Sequence, residues 1–251
     1  MGNLHAGHIS LIEAARARHD QVIATIFVNP LQFGPQEDLA RYPRTFSADC
    51  EALQAAGCNA LFIPDNTMLY PHGLAAQTVI SVPVLSGLHC GHSRPGHFDG
   101  VSTIVCKLFN LIQAHCAYFG LKDYQQFRII SRMVEDLNMP VQLQGLPTVR
   151  EPDGLALSSR NGYLSDDERQ LAPVLYRTLQ WAADAIRQGK RSLRAIEQDA
   201  ANQLLQAGLR PNYVAICEQS TLQPAQTAEI PLVILAAAYL GTTRLIDNLV
   251  I

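Results

Sequence analysis

The chain has 251 residues, 48% of them hydrophobic and 16% charged, and a formal net charge of −3. That length can bury a substantial core in one large or two smaller domains, and a mildly acidic chain without a basic tract argues against non-specific nucleic-acid binding. No apolar run reaches the roughly 18 residues of a membrane span. There is no secretory or lipidation motif, and the six cysteines form no Cys-x-x-Cys pair, so the expectation is a cytoplasmic protein with reduced core thiols and with neither membrane nor nucleic acid as partner.

The chain opens Met1-Gly2-Asn3-Leu4-His5-Ala6-Gly7-His8 and passes at once into helical spacing over residues 9–18, with Ile9, Leu11, Ile12 and Ala15 apolar. Residues 21–28 form a continuous apolar, β-branched run that reads as a buried parallel strand, ended by Asn29-Pro30. Residues 47–56 read as a helix stopped by Gly57. A short strand follows at 60–63 and another candidate at 78–82. Residues 101–113 read as a buried helix, 115–119 as a strand, 125–137 as a helix and 141–143 as a strand. This alternation predicts an α/β class, with a Rossmann-like parallel sheet over residues 1–148.

The pattern then changes. Ser165-Asp166-Asp167-Glu168 is a capping box opening one long helix to residue 188, closed by Gly189. A second helix covers 193–207, and strands follow at 213–217, 232–239 and 243–246. These predict a smaller α+β domain over residues 149–251, with the boundary near residues 147–153.

Several segments carry chemistry. His5 and His8 sit at a helix N-terminus, where N–H groups and the positive dipole end attract phosphate. They read either as caps of their own backbone or as donors to a phosphate. Gly120-Leu121-Lys122-Asp123 follows a strand at the sheet's C-terminal edge, where α/β ligands bind. Lys122 suits phosphate; Asp123 reads as a ribose ligand or as the cap of the next helix, and the two roles can coexist. Ser158-Ser159-Arg160 reads either as donors on a mobile loop closing over a triphosphate or as a polar turn between domains. Gln32, in Asn29-Pro30-Leu31-Gln32-Phe33-Gly34, can hold a small hydroxy acid or stand in an ordinary βα loop. Arg94-Pro95-Gly96-His97-Phe98 reads as a turn placing one arginine. His89, Cys90, His92 and His97 fit tetrahedral zinc poorly, with two adjacent ligands and a Pro-Gly interruption.

Together, in this order, these segments with Tyr42-Pro43-Arg44-Thr45, Gln125-Gln126 and the run Arg150-Glu151-Pro152-Asp153-Gly154 into Asn161 closely resemble the pantothenate synthetase family, ATP-dependent ligases joining pantoate to β-alanine. The resemblance runs through the whole chain. It implies a pantoyl-adenylate intermediate with release of pyrophosphate and AMP, and a cytoplasmic homodimer. It implies an ATP site at Met1, Gly2, Asn3, Leu4, His5, Ala6, Gly7, His8, Gly120, Leu121, Lys122, Asp123, Val149, Leu157, Ser158, Ser159 and Arg160. His8, the family's assigned proton donor, acts there with His5, Lys122 and Arg160. Gln32 and Gln126 would bind pantoate, and Gln32 β-alanine as well. Mg2+ would be held by ATP phosphates rather than by a protein metal site.

The chain departs from the family pattern at Leu121, where Glu is usual, and at His89-Cys90, where Glu-Gly is usual. The resemblance also implies a first strand ahead of Met1, central in this sheet order. Without it, ladder groups on both neighbouring strands are expected to lack partners, which reads as a working protein extending upstream. The competing readings are another His-x-Gly-His nucleotidyltransferase, opposed by Gln32, Gln126 and the Ser158 loop; a class I aminoacyl-tRNA synthetase, opposed by the lack of a basic module; and a truncated, inactive nucleotide-binding remnant, opposed by the intact site residues.

Overall fold

The strands of the first half pair in parallel across helical crossovers in the computed structural model, which describes residues 1–35 and 37–251. In chain order the elements are α1 (Ala6–Arg16), β1 (Ile23–Thr25), α2 (Phe46–Ala55), β2 (Ala60–Phe62), α3 (Asn66–Leu69), α4 (Cys90–Ser93), α5 (His97–Ile112), β3 (Cys116–Gly120), α6 (Tyr124–Asp136) and β4 (Gln142–Leu146). There follow α7 (Asp166–Leu171), α8 (Val174–Gln188), α9 (Leu193–Gln206), β5 (Arg210–Glu218), β6 (Leu232–Leu240) and β7 (Thr243–Val250). Contacts gather these into a first unit of Met1–Gly87, Gly91–Leu121 and Gln125–Pro147, and a second of Leu88–Cys90, Lys122–Tyr124 and Thr148–Ile251.

In the first unit β1 pairs with β2, Ile23 opposite Ala60, and β3 pairs with β4, Cys116 opposite Gln142. The two pairs remain separate sheets. The apolar run at 21–28 is therefore not the fully buried strand its composition suggests: three residues enter the ladder, and Ile23 is 47% exposed. A parallel strand is buried when it has neighbours on both edges and cover on both faces; β1 has a ladder on one edge. Residues 78–82 are not a strand either. The Ile80 N–H donates to the Thr103 hydroxyl at 2.9 Å, so a side chain on α5 satisfies it instead of a ladder.

The apolar cluster of Leu69, Tyr70 and Ile104, with Phe27, Leu31 and Leu108 packed on it, joins α3 and α5 to the segment after β1. At its edge the Tyr70 hydroxyl donates to Asn29 Oδ1 at 2.6 Å, and Asn29 Nδ2 donates to the Gly100 carbonyl at 3.1 Å.

In the second unit β5, β6 and β7 form an antiparallel sheet in that order, with Ile216 opposite Ile234 and Ala236 opposite Asp247. The unbroken apolar sequence of β6 matches its near-complete burial, with Leu232, Ile234, Ala236, Ala238 and Leu240 on the face that packs in one cluster with Leu179, Ile196 and Leu204 of α8 and α9. The single helix expected over 165–188 is two. The Ser165–Glu168 capping box opens α7 as expected, but Pro173 starts a new helix after Leu171, since proline lacks an N–H and its ring displaces the carbonyl four residues back.

Burial pushes the Tyr70 phenol up to about 12 from an ordinary 10.0. A folded-state value raised in this way contributes stability that is present below the unfolded value and lost as pH rises through the folded one. Between pH 10 and about 12 the protein should lose denaturant resistance more steeply than Tyr70→Phe does. Urea midpoints taken across that range check it, and parallel curves would contradict the assignment.

Candidate active site

The Met1–His8 turn is held from inside the first unit by one carboxylate. Asp49, on α2 and 3% exposed, accepts the Asn3 N–H at 2.9 Å, the Leu4 N–H at 2.8 Å and the Thr45 hydroxyl at 3.1 Å. Gly2 at φ +86 and Asn3 at φ +52 supply the left-handed bend that turns both N–H groups toward it. A Cβ on Gly2 would stand 3.1 Å from Asp49 Oδ2, so glycine serves both the backbone conformation and the close approach.

The chain then enters α1 through a capping arrangement made of two imidazoles. His5 Nδ1 accepts the Gly7 N–H at 3.2 Å, and His8 Nδ1 accepts the His5 N–H at 3.2 Å. The ring centroids are 4.0 Å apart. A neutral imidazole that accepts at Nδ1 carries its proton on Nε2. Both rings therefore cap the helix with one nitrogen and present an N–H donor with the other. Capping and phosphate donation, the two readings of the motif, are compatible because they use different atoms.

Gln32 closes a 3-10 turn (Pro30–Gln32) capped by Asn29 Oδ1, which accepts the Leu31 N–H at 3.3 Å. The Gln32 carbonyl accepts from His97 Nδ1 at 2.7 Å and Arg94 Nη2 at 3.2 Å, while Arg94 Nε donates to Glu37 at 2.6 Å. The turn expected to place an arginine thus fixes the main chain at Gln32. Gly100 matters here too: a Cβ would lie 2.2 Å from the Leu31 carbonyl oxygen, so α5 approaches this turn only without a side chain. Gln126 is half-buried in the first turns of α6, beside Gln125, whose amide donates to the Leu85 carbonyl at 2.9 Å. Gly120 ends β3, and Leu121 packs over Gly145 of β4.

The second unit holds the rest of the expected site. Lys122 Nζ lies 3.7 Å from Asp123 Oδ2, and the Lys122 carbonyl accepts from Asn248 Nδ2 at 2.9 Å. The Val149 carbonyl accepts the Leu157 N–H at 3.0 Å and the Leu155 carbonyl the Glu151 N–H at 2.8 Å, so residues 149–157 form a small hairpin rather than a slack loop. Ser158 Oγ accepts the Arg160 N–H at 3.3 Å, and Asn161 Nδ2 donates to the Ala156 carbonyl at 3.0 Å, a polar turn at the end of that hairpin. Asp153, beside Arg169 at 2.6 Å, has its carboxyl held below the usual range chiefly by that guanidinium hydrogen bond.

His89 and Cys90 also belong to the second unit. His89 Nε2 contacts the Leu222 carbonyl at 2.8 Å and Cys217 Sγ at 3.4 Å; Cys90 Sγ contacts the Tyr213 hydroxyl at 3.1 Å and Arg244 Nη2 at 3.4 Å. Burial lowers the His89 pKa and pushes the Cys217 thiol up to about 12. His97 is engaged in the first unit by Gln32 and Arg94. Among the described residues no group of three or more His, Cys, Asp or Glu side chains is placed to hold a metal ion, and no helix is long and apolar enough to cross a membrane.

Sequence reasoning missed Asp49, Asp247 and Asn248. Asp49, four residues after Thr45, looks like an ordinary acid in a first helical turn. Asp247-Asn248 did carry a signal, two polar residues inside an apolar strand, which are retained where they have partners.

Parallel β-α-β pairs followed by an antiparallel α+β unit, with a His-x-Gly-His turn opening the first helix, make this an α/β protein whose first helix start suits a phosphate. The chain belongs to the pantoate–β-alanine ligase family: the model described as Pantoate-beta-alanine ligase matches residues 1–250. It is 60% identical to the pantothenate synthetase of Stutzerimonas stutzeri over 251 residues, 100% of this chain and 88% of the relative. It is 57% identical to that of Azotobacter vinelandii over 249 residues, 99% and 88% of the two chains. The crystal structure of pantothenate synthetase from Thermus thermophilus superposes with a TM-score of 0.94 at 46% identity, covering 99% of this chain and 90% of that one. A pantoate-β-alanine ligase from Francisella tularensis, complexed with beta-gamma ATP and β-alanine, gives 0.83 at 33% identity, covering 100% and 87%.

Asp49→Ala leaves two inward N–H donors without an acceptor. At about 1–3 kcal/mol per orphaned group, unfolding free energy should fall by about 2–6 kcal/mol. Asp49→Asn, which keeps one acceptor oxygen, should lose about half of that. Urea unfolding measures both, and an Asp49→Ala protein as stable as the parent would show that the carboxylate does not hold the turn.

Proposed function

We propose that the chain joins pantoate to β-alanine with ATP in two steps at one site, residues 1–148 binding ATP and pantoate and residues 149–251 acting as a lid. In the first step a pantoate carboxylate oxygen attacks the α-phosphorus and the bond to pyrophosphate breaks, giving pantoyl adenylate. In the second the β-alanine amine attacks the acyl carbon, the bond to AMP breaks and the amine's proton is lost. Direct amide formation fails because hydroxide is a poor leaving group and the acid would protonate the amine. Adenylation removes both obstacles, so the protein's task is positioning and charge neutralisation.

The observation that carries this reading is the His5–His8 pair at the start of α1, two adjoining rings that both cap through Nδ1 and so, when neutral, carry the proton on Nε2. Negative charge grows on the departing pyrophosphate, and neutral donors fixed beforehand stabilise it without reorganising. The resemblance makes His8 the proton donor to the leaving group, a role it fills as imidazolium, whereas the neutral ring gives a hydrogen bond from Nε2–H. Lys122, Ser158, Ser159 and Arg160 supply further donors to the triphosphate, with Arg160 able to bind it in a fork. Gly120 and Asp123 take the ribose; the Asp123 carboxylate keeps acceptor capacity beside Lys122. The Val149 main chain takes the adenine, its carbonyl retaining a second lone pair after Leu157. Gln32 and Gln126 bind pantoate, and Gln32 β-alanine. The Met1–Leu4 backbone, Leu121 and Leu157 line the nucleotide.

Magnesium fits this donor set as an ion carried by the nucleotide. Mg2+ keeps most of its ligands as phosphate oxygens and water, and no acidic cluster competes for it among the described residues. It neutralises phosphate charge when bound. By the same resemblance the enzyme works as a homodimer in the cytoplasm, a state that sedimentation equilibrium reads directly.

Incubation with ATP, Mg2+, pantoate and β-alanine should yield AMP and pantothenate in equal amounts, with pyrophosphate release from pantoate alone. His8→Ala and Lys122→Ala should each lower that release by about a hundredfold or more, in the range typical of a lost transition-state donor, and Gln32→Ala should raise the pantoate KM. ATP binding without turnover would overturn the ligase reading in favour of a nucleotide-binding remnant. Nucleotide transfer to a phosphate-bearing acceptor would place the chain among other transferases.

A further inference from the structure

A chain of buried polar contacts in the second unit ends on Lys122, and none of its other members has a role in the reading above. Arg150, in the 149–157 hairpin, lies over the Tyr176 ring at 3.5 Å from its centroid. Its guanidinium donates to Asp247 at 2.6 and 2.9 Å and to the Gly154 carbonyl at 3.1 Å. Asp247, 4% exposed, accepts the N–H of its neighbour Asn248 at 2.8 Å, and Asn248, 6% exposed, donates from Nδ2 to the Lys122 carbonyl at 2.9 Å. Two segments far apart in sequence are thereby tied to one strand, β7: the Lys122 turn, and the hairpin that runs directly into Ser158-Ser159-Arg160.

Such a network is a poor source of stability. Removing an ion pair from water costs about what the pair returns, and apolar side chains of similar volume often serve better. What it supplies is geometry, since a bidentate pair and an amide donor fix direction as well as distance. We propose that Asn248 is a positioning residue for the reaction, setting the Lys122 main chain and so the reach of its ammonium to the triphosphate, with Asp247 and Arg150 registering Asn248 and the Ser158 hairpin on the same strand. The proposal rests on the phosphate role of Lys122 assigned above. It concerns a residue assigned no substrate contact above, acting on the reaction through Lys122.

A double-mutant cycle tests it. Asn248→Ala should lower kcat for pantoate-dependent pyrophosphate release by about tenfold to a hundredfold, the cost of misplacing a reacting group by about an ångström. The pantoate KM should stay close to that of the parent, and the thermal midpoint should fall by only the few degrees that one orphaned carbonyl costs. In a Lys122→Ala background, Asn248→Ala should change kcat by less than about twofold, because the group it positions is gone. Asn248→Ser gives the same readout if Asn248→Ala fails to fold. Multiplying effects in the double mutant, or a parent-like rate for a folded Asn248 variant, overturn this proposal while leaving the ligase reading standing. A parent-like rate for Lys122→Ala removes the phosphate role of Lys122, and this proposal falls with it.

Discussion

An imidazole has two nitrogens, and the candidate site depends on their being used for different things. At His5 and His8 one nitrogen faces back into the chain to cap α1, and the partition leaves the proton on the other. Had either ring capped through Nε2, its donor would face a different way. A cap of this kind is worth about 1 kcal/mol, too little to hold the turn by itself. The Asp49 carboxylate supplies the rest by tying down Asn3 and Leu4 before the helix starts. Gly2, Asn3, Asp49, His5 and His8 form one device, in which a buried charge on α2 aims two neutral donors on α1.

The first unit extends the same logic to Gln32. Its carbonyl is gripped by Arg94 and His97, and the preceding turn is locked by Asn29, Tyr70 and Gly100. A main chain so fully bonded fixes the point and direction from which the Gln32 side chain leaves. In the second unit the corresponding anchor is the Arg150–Asp247 pair. Burial pushes the Asp247 carboxyl above the ordinary range, even with Arg150 and Asn248 pulling it back. A carboxyl raised on folding contributes less stability as pH climbs from its unfolded toward its folded value. Burial thus works against the Asp247 charge, and what the pair supplies is geometry.

Much of this was legible in the sequence because local rules and burial agreed. The apolar run of β6 suited a buried strand, the Ser165–Glu168 box marked the start of α7, and Gly189 marked the end of α8. His5 and His8 stood out because two histidines at a helix start are chemically unusual. The failures occur where tertiary context decides. Residues 21–28 have the composition of a central strand, yet burial depends on neighbours that composition does not count. The break at Pro173 is hidden because the apolar spacing continues on either side of it, although the missing N–H ends the hydrogen-bond ladder there. Asp49 and Asn248 escaped because a positioning residue acts through partners 45 and 126 positions away, a distance no spacing rule covers.

The central claim is that both histidines carry their proton on Nε2 and donate it to phosphate. Long-range proton–nitrogen spectra of protein labelled with 15N in its imidazoles, with His5→Gln and His8→Gln used for assignment, test it most directly. At a pH about one unit above the ordinary imidazole value of ~6.5, the account predicts Nε2–H tautomers for both rings in the nucleotide-free protein, with the Nε2 signals shifting on addition of ATP and the Nδ1 signals staying in place. Protons on Nδ1, or Nε2 signals indifferent to ATP, would contradict it.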